Sequence, residues 1–172
     1  MHIRSAAPHD ADFLALILLE AFNWDGKARF TLDDMMREPQ IAHYVSGWPQ
    51  AGDFGVVAED ASGVAMGAAW ARSFPSDDQG YGYTGPDVPE LTLGVLPDFR
   101  RRGVARALMR GLIDRAARTG VPRLSLSVED GNAAVGLYTA CGFTTVGRNG
   151  GSDTMVLTVG GGRAGEVPGR KT

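Results

Sequence analysis

Residues 90–118 read as a short strand, a tight turn and a long helix, and no other stretch of the 172 residues restricts the fold as much. The strand, Glu90 to Leu96, runs into Pro97, and the turn after it carries Arg100, Arg101, Arg102 and Gly103. Val104, Leu108, Leu112 and Ala116 then form one apolar stripe, flanked by Ala105, Met109 and Ile113, with Arg106, Arg110 and Asp114 on the outer side. That pattern predicts a helix over 104–118, stopped by Gly120 and Pro122. The first N–H groups of a helix have no partner inside it, and the helix dipole adds positive potential at that end. Gly103 opens the main chain to a bulky anion because no Cβ stands in the way, and Ala105 is nearly as small. With Arg100, Arg101, Arg102 and Arg106 around it, the turn is a cradle for a polyanion, and a pyrophosphate suits it best.

The charge distribution supports a local site over a generally basic surface. Net charge is −3, yet residues 1–90 hold 14 acids against 5 Lys and Arg, while residues 91–172 hold 6 acids against 12. Seven arginines fall between Arg100 and Arg118. Such a run alone reads as a solvated helix face; the turn and its glycine change that reading. The chain is acidic overall and the arginines are not interleaved with aromatics, which argues against a nucleic-acid partner. The acidic first half suits a cationic substrate such as an amine.

The length and the 44% hydrophobic content suit one domain, expected over residues 1–159. Gly160 onward, rich in glycine and poor in apolar residues, is expected to be a disordered tail. The longest apolar run, Phe13 to Leu19, is far short of the roughly 20 residues a membrane span needs, so no membrane partner is expected. The N-terminus lacks a basic region followed by an apolar stretch, and the lone Cys141 fits a reducing cytoplasm. Cys141 reads as a packing residue, and His2, His9 and His43 lack metal-ligand spacing, so no metal is expected. Gly80-Tyr-Gly82-Tyr-Thr-Gly85 has the spelling of a dinucleotide fingerprint, but Pro86 follows and no helix opens there.

Further elements follow from periodicity and breakers. A strand is expected at His2–Arg4 and a helix at 10–22, with Phe13, Leu14, Ile17, Leu18 and Ala21 on one face. Residues 31–46 read as helical in two pieces broken at Pro39. Strands are expected at Phe54–Glu59, Val64–Arg72 and Leu124–Val128, and a helix at 133–140 with Asn132 as its cap. Two final strands, Thr144–Arg148 and Thr154–Val159, pair across Asn149-Gly150-Gly151.

Arg100-x-x-Gly103-x-Ala105, after a strand ending in Val95 and Pro97, resembles the acetyl-CoA-binding motif of the GNAT superfamily of N-acetyltransferases. Asn132-Ala-Ala-Val-Gly-Leu-Tyr138-Thr-Ala-Cys-Gly142-Phe143, about thirty residues on, is similar to that superfamily's later helix. The resemblance covers residues 1–159 and implies an α/β (α+β) GNAT fold. That is a mixed, twisted sheet of six or seven strands with helices on both faces, whose fourth and fifth strands splay apart to admit the cofactor's pantetheine arm. It implies an acetyl-CoA-dependent N-acetyltransferase that moves the acetyl group to a primary amine by direct attack, without a metal. The acceptor, a small-molecule or peptide amine, stays open, and homodimers are common in the superfamily.

By that resemblance Leu93, Gly94 and Val95 border the acetyl group and the pantetheine arm, with the Val95 amide as oxyanion donor. The phosphates fall to Arg100, Arg101, Arg102, Gly103, Val104, Ala105 and Arg106. Tyr138 is the expected general acid at the sulfur, its alternative an ordinary core aromatic, and Asn132 is either a cofactor contact or a helix cap. Glu90 is the only acid near the cofactor strand and so the candidate base. Alternation places it opposite Leu91, Leu93 and Val95, where it reads more readily as a surface carboxylate. Asp77, Asp78 and Asp87 compete with it, and Tyr81 and Tyr83 are candidates for lining the acceptor pocket. The competing function is a catalytically idle acyl-CoA-binding sensor, which would need the arginine turn but not Tyr138.

Overall fold

The computed structural model of the protein describes residues 1–160, so the expected C-terminal tail lies outside the described residues except for Gly160. Seven strands form one sheet in the order β1-β2-β3-β4-β5-β7-β6. They are β1 His2–Ser5, β2 Phe54–Glu59, β3 Ala65–Arg72, β4 Glu90–Val95, β5 Arg123–Glu129, β6 Thr144–Asn149 and β7 Ser152–Thr158. All pairings are antiparallel except β4 with β5. The helices are α1 Ala11–Phe22, α2 Leu32–Arg37, α3 Pro39–Ala42, α4 Val104–Arg118 and α5 Ala134–Ala140. Among the described residues no helix is long and apolar enough to cross a membrane.

Both faces of the sheet are covered. On one side Val104, Leu108, Met109, Leu112 and Ala116 of α4 pack on Val56, Ala69 and Leu91, and Tyr138 of α5 joins the same core. On the other, Leu14, Ile17 and Leu18 of α1 pack with Met35 and Ile41 on Val57, Ala68 and Trp70. Burial on both faces explains why β2 and β3 read as nearly continuous apolar runs instead of alternating ones.

The second helical segment is shorter than periodicity predicts: α2 is capped by the Thr31 hydroxyl, which accepts from Asp34 N at 3.2 Å, but α3 ends at Ala42. Arg72 supplies the reason. Its guanidinium is buried beside Asp53 (2.6 Å) and donates to the His43 and Ser46 carbonyls at 2.8 and 2.7 Å. Those carbonyls would otherwise continue the helix. The Trp70 indole donates to the Tyr44 carbonyl at 2.8 Å, so residues 43–46 are held as a fixed turn against β3.

Candidate active site

Gly103 caps α4 in the left-handed conformation (φ 78°, ψ 6°), and Arg101 also has positive φ (58°). This curl turns a run of main-chain N–H groups outward. Arg100 N donates back to Pro97 O, and Ala107 N is the next amide with a partner, on Gly103 O. Among the described residues, the six amides from Arg101 to Arg106 therefore have no hydrogen-bond acceptor within the protein. A Cβ built at Gly103 would meet nothing within 4 Å, so the main chain there faces open space. Six free donors, a helix N-terminus and flanking arginines make a strong anion site.

The arginines divide their tasks. Arg101 and Arg106 line the adjoining cavity, and their side chains have no ion-pair partner among the described residues. Arg100 also lines it but is tied down: its Nε donates to Val95 O at 3.1 Å, and its guanidinium meets Glu20 at 2.8 Å. Arg102 lies over the Phe99 ring at 5.8 Å and is not among the lining residues.

The edge of β4 is open beside this turn. Leu96 N donates to Met66 O across β3, in register with Val95↔Gly67. Neighbouring residues of an antiparallel strand point their polar groups to opposite sides, so Gly94 and Thr92 serve β3 while Val95 and Leu93 turn theirs toward β5. The parallel ladder to β5 contains one pair, Glu90↔Ser125. Beyond it the strands diverge, and the main-chain groups of Leu93 and the Val95 N–H face the gap, while the Val95 carbonyl accepts from Arg100 Nε. This is the splay that the motifs imply.

Glu90 starts β4 and is buried, 3% exposed, so the expectation of a surface carboxylate is corrected. Its side does lie opposite Leu91 and Val95, as alternation requires, but that face is covered by α1, by Tyr44 after α3 and by the 73–89 loop. Oε1 accepts from the Tyr44 hydroxyl at 2.7 Å and from Gly82 N at 2.9 Å; Oε2 is buried without a partner among the described residues. Burial pushes the carboxyl up to about 7, against the smaller opposing pull of the two hydrogen bonds. Tyr44 is held in turn, accepting from Tyr81 N at 2.7 Å, and burial, with Glu90 beside it, pushes its own hydroxyl pKa well above the ordinary phenol value.

Gly80 and Gly82 are what brings the 73–89 loop down. A Cβ on Gly82 would lie 2.5 Å from Leu126 C and 2.7 Å from Ser127 N, main-chain atoms of β5 that cannot move aside. A Cβ on Gly80 would fall 1.9 Å from Glu90 Oε2. The Gly-x-Gly spelling set aside as a nucleotide motif is therefore a packing device that lets the loop close down on Glu90 and β5. Gly82→Ala is expected to destabilise the protein by about 1–3 kcal/mol through overpacking. It also lifts Gly82 N off Glu90, moving the carboxyl pKa further up. Denaturant midpoints and a pH profile read both effects, and an unchanged midpoint would refute the close contact.

Across the cleft, Tyr138 is 8% exposed and lines the cavity, and burial raises its hydroxyl to about 12, with no hydrogen bond among the described residues to offset it. Its position is set at the end of α5: Phe143 N donates to Tyr138 O at 3.1 Å and Gly142 N to Thr139 O at 3.0 Å, a closing turn that folds Phe143 back toward Tyr138. That is the structural content of Leu-Tyr-x-x-x-Gly-Phe. Asn132 caps the start of α5, accepting from Ala134 N at 2.9 Å, and also borders the cavity.

One cavity of about 800 Å³ joins these parts, from the α4 turn along the β4–β5 gap to Glu90. That volume is ample for a cofactor arm and a small second reactant. Asp77 and Asp87 are exposed, Asp78 binds His43 Nδ1 at 2.9 Å, and none of the three lines the cavity. Tyr81 lines it; Tyr83 borders a separate small depression beside β6. Tyr44 was not anticipated from sequence; it falls in the stretch 31–46 that reads only as helical.

The family model for the acetyltransferase (GNAT) family matches residues 18–143. The chain belongs to that family. It is 41% identical over 66 residues to an acetyltransferase of Pectobacterium atrosepticum, covering 38% of this chain and 47% of that protein. It is 28% identical over 149 residues to the mycothiol acetyltransferase of Saccharomonospora viridis, covering 85% of this chain and 46% of that protein. The chain spans about half the length of these curated relatives. Among solved structures, a GNAT phosphinothricin acetyltransferase from Sinorhizobium meliloti, in complex with acetyl-CoA, superposes with a TM-score of 0.67. The match covers 96% of this chain and 91% of that one at 21% identity, so the likeness is one of fold.

Proposed function

We propose that this chain is an N-acetyltransferase that moves an acetyl group from acetyl-CoA to a primary amine by direct attack. The observation that carries the reading is the run of six outward amides from Arg101 to Arg106, set beside a β4 edge whose main chain faces a gap. Bound acetyl-CoA would supply the acetyl group as a thioester. The six amides with Arg101 and Arg106 would hold its pyrophosphate, and the main-chain groups of Leu93 would pair with the pantetheine arm. The Val95 N–H would donate to the thioester oxygen as negative charge gathers there.

Glu90 is the proton acceptor in this reading. A carboxyl poised near neutrality takes a proton from an arriving ammonium and frees the nitrogen lone pair. The C–N bond forms as the C–S bond breaks; the Tyr138 hydroxyl passes its proton to the departing sulfur and is restored by the proton that the new amide nitrogen gives up, while Glu90 returns its own to solvent. A buried ionisable carboxyl with an unpartnered oxygen, lining the same cavity, favours an enzyme over an idle acyl-CoA sensor, which has no use for it. Holding both reactants in one cleft supplies much of the rate.

The test is thiol release from acetyl-CoA across a panel of amines, run beside calorimetric titration with CoA. Release with at least one amine supports transfer; tight CoA binding with no release from any amine supports the sensor. Tyr138→Phe is expected to lower turnover about 100-fold, the lower end of what a general acid contributes, because a thiolate is already a tolerable leaving group. CoA affinity should be unchanged, and full turnover would remove Tyr138 from the mechanism.

A further inference from the structure

We infer that the acceptor is a monoamine borne on an apolar body, an arylalkylamine in its simplest form, with neither a second ammonium nor a carboxylate. This rests on the acetyl-transfer reading above. The wall nearest Glu90 is aromatic: Phe22 meets Phe30, Tyr44 and Tyr81 edge-on at centroid distances of 6.0, 6.4 and 6.2 Å, and Trp24, beside Arg29, also lines the cavity. Such walls strip water from an apolar body, and their faces attract a single ammonium on its way to a carboxylate.

The charges along the cavity restrict the acceptor further. Three acids line the cavity: Glu20, Glu90 and Glu129. Glu20 is paired with Arg100 at 2.8 Å and Glu129 with Arg29 at 2.9 Å. Among the described residues, Glu90 alone of the three has no cationic partner. A polyamine would therefore bring a second ammonium against aromatic rings with no anion to meet it. The cations fail an amino acid in the same way. Arg29 and Arg100 are spent on those pairs, and Arg101 and Arg106 flank the α4 turn, where the phosphates belong. A buried charge without a partner is costly, so the site selects against both.

The test compares 2-phenylethylamine, spermidine, phenylalanine and an alanine-led tetrapeptide as acceptors at saturating acetyl-CoA. The expected result is a kcat/KM for 2-phenylethylamine at least ~100-fold above that of each of the other three. A second readout does not depend on turnover: 2-phenylethylamine should quench tryptophan fluorescence of the CoA-bound protein, and Trp24→Phe should abolish the quench. Tyr81→Ala, at a residue 40% exposed and so safe for folding, should raise the KM for 2-phenylethylamine about 10-fold and leave that for acetyl-CoA alone. Equal or better use of spermidine, phenylalanine or the peptide would overturn the acceptor class while leaving acetyl transfer intact. CoA binding with no release from any amine would overturn both.

Discussion

Gly103→Glu is expected to weaken CoA binding by at least ~100-fold, equivalent to about 2.7 kcal/mol, in a protein that still folds. Position 103 is the N-cap of α4, and a Cβ there meets no atom within 4 Å, so the substitution causes no steric collision. The cost to stability comes from its positive φ, on the order of 1–3 kcal/mol for a residue forced into the left-handed region. The damage to binding has a different origin. A carboxylate at a helix N-terminus is itself favoured by the dipole and by the six unpartnered amides, so the new side chain would settle into the anion site as a tethered competitor. Gly103→Ala separates the two causes, since it carries the same backbone strain without the charge and should lose far less affinity. Calorimetric titration with CoA decides the matter, and wild-type affinity in Gly103→Glu would show that the α4 turn does not hold the phosphates.

That turn could be read from sequence because everything it needs is local. A strand, a proline, a glycine and an apolar stripe specify a βα connection within about thirty residues, and α4 runs over the range that its periodicity predicts. The same holds for the hairpin of β6 and β7 and for the close of α5. Glu90 is different. Its environment depends on which residues of the 73–89 loop descend onto β4, and that is decided by Gly82 meeting β5, by Gly80 meeting Glu90 itself, and by Tyr44, 46 residues earlier in the chain. Tyr44 in turn is placed by Arg72 and Trp70 of β3, more than twenty residues further along the chain. No periodicity records such contacts, so alternation gave Glu90 the right face and the wrong burial. The short α3 has the same origin, since the Arg72 guanidinium competes for carbonyls that helix propensity alone would assign to the helix.

Glu90→Gln should cost turnover about 1,000-fold, within the range a positioned base contributes, while leaving CoA affinity unchanged. The amide oxygen of glutamine can accept from both the Tyr44 hydroxyl and Gly82 N, so the fold has no reason to open. The pH dependence gives the assignment its sign. With the carboxyl held near 7, the base is protonated and idle at lower pH, and turnover rises as pH passes through that value; in Glu90→Gln the rise disappears. Stability runs the other way. The folded protein binds this proton more tightly than the unfolded chain, whose value is near the ordinary 4.5, so the contribution is complete below 4.5 and fades as pH climbs to about 7. Its full size is on the order of 3 kcal/mol, and the glutamine variant should lack that slope. Tyr44→Phe tests the same group from its neighbour: the lost hydrogen bond had favoured the charged carboxylate, so the rise in turnover should move to higher pH while the plateau survives. A profile unmoved in Tyr44→Phe, together with full activity in Glu90→Gln, would transfer the base to another residue and leave Glu90 a structural role alone.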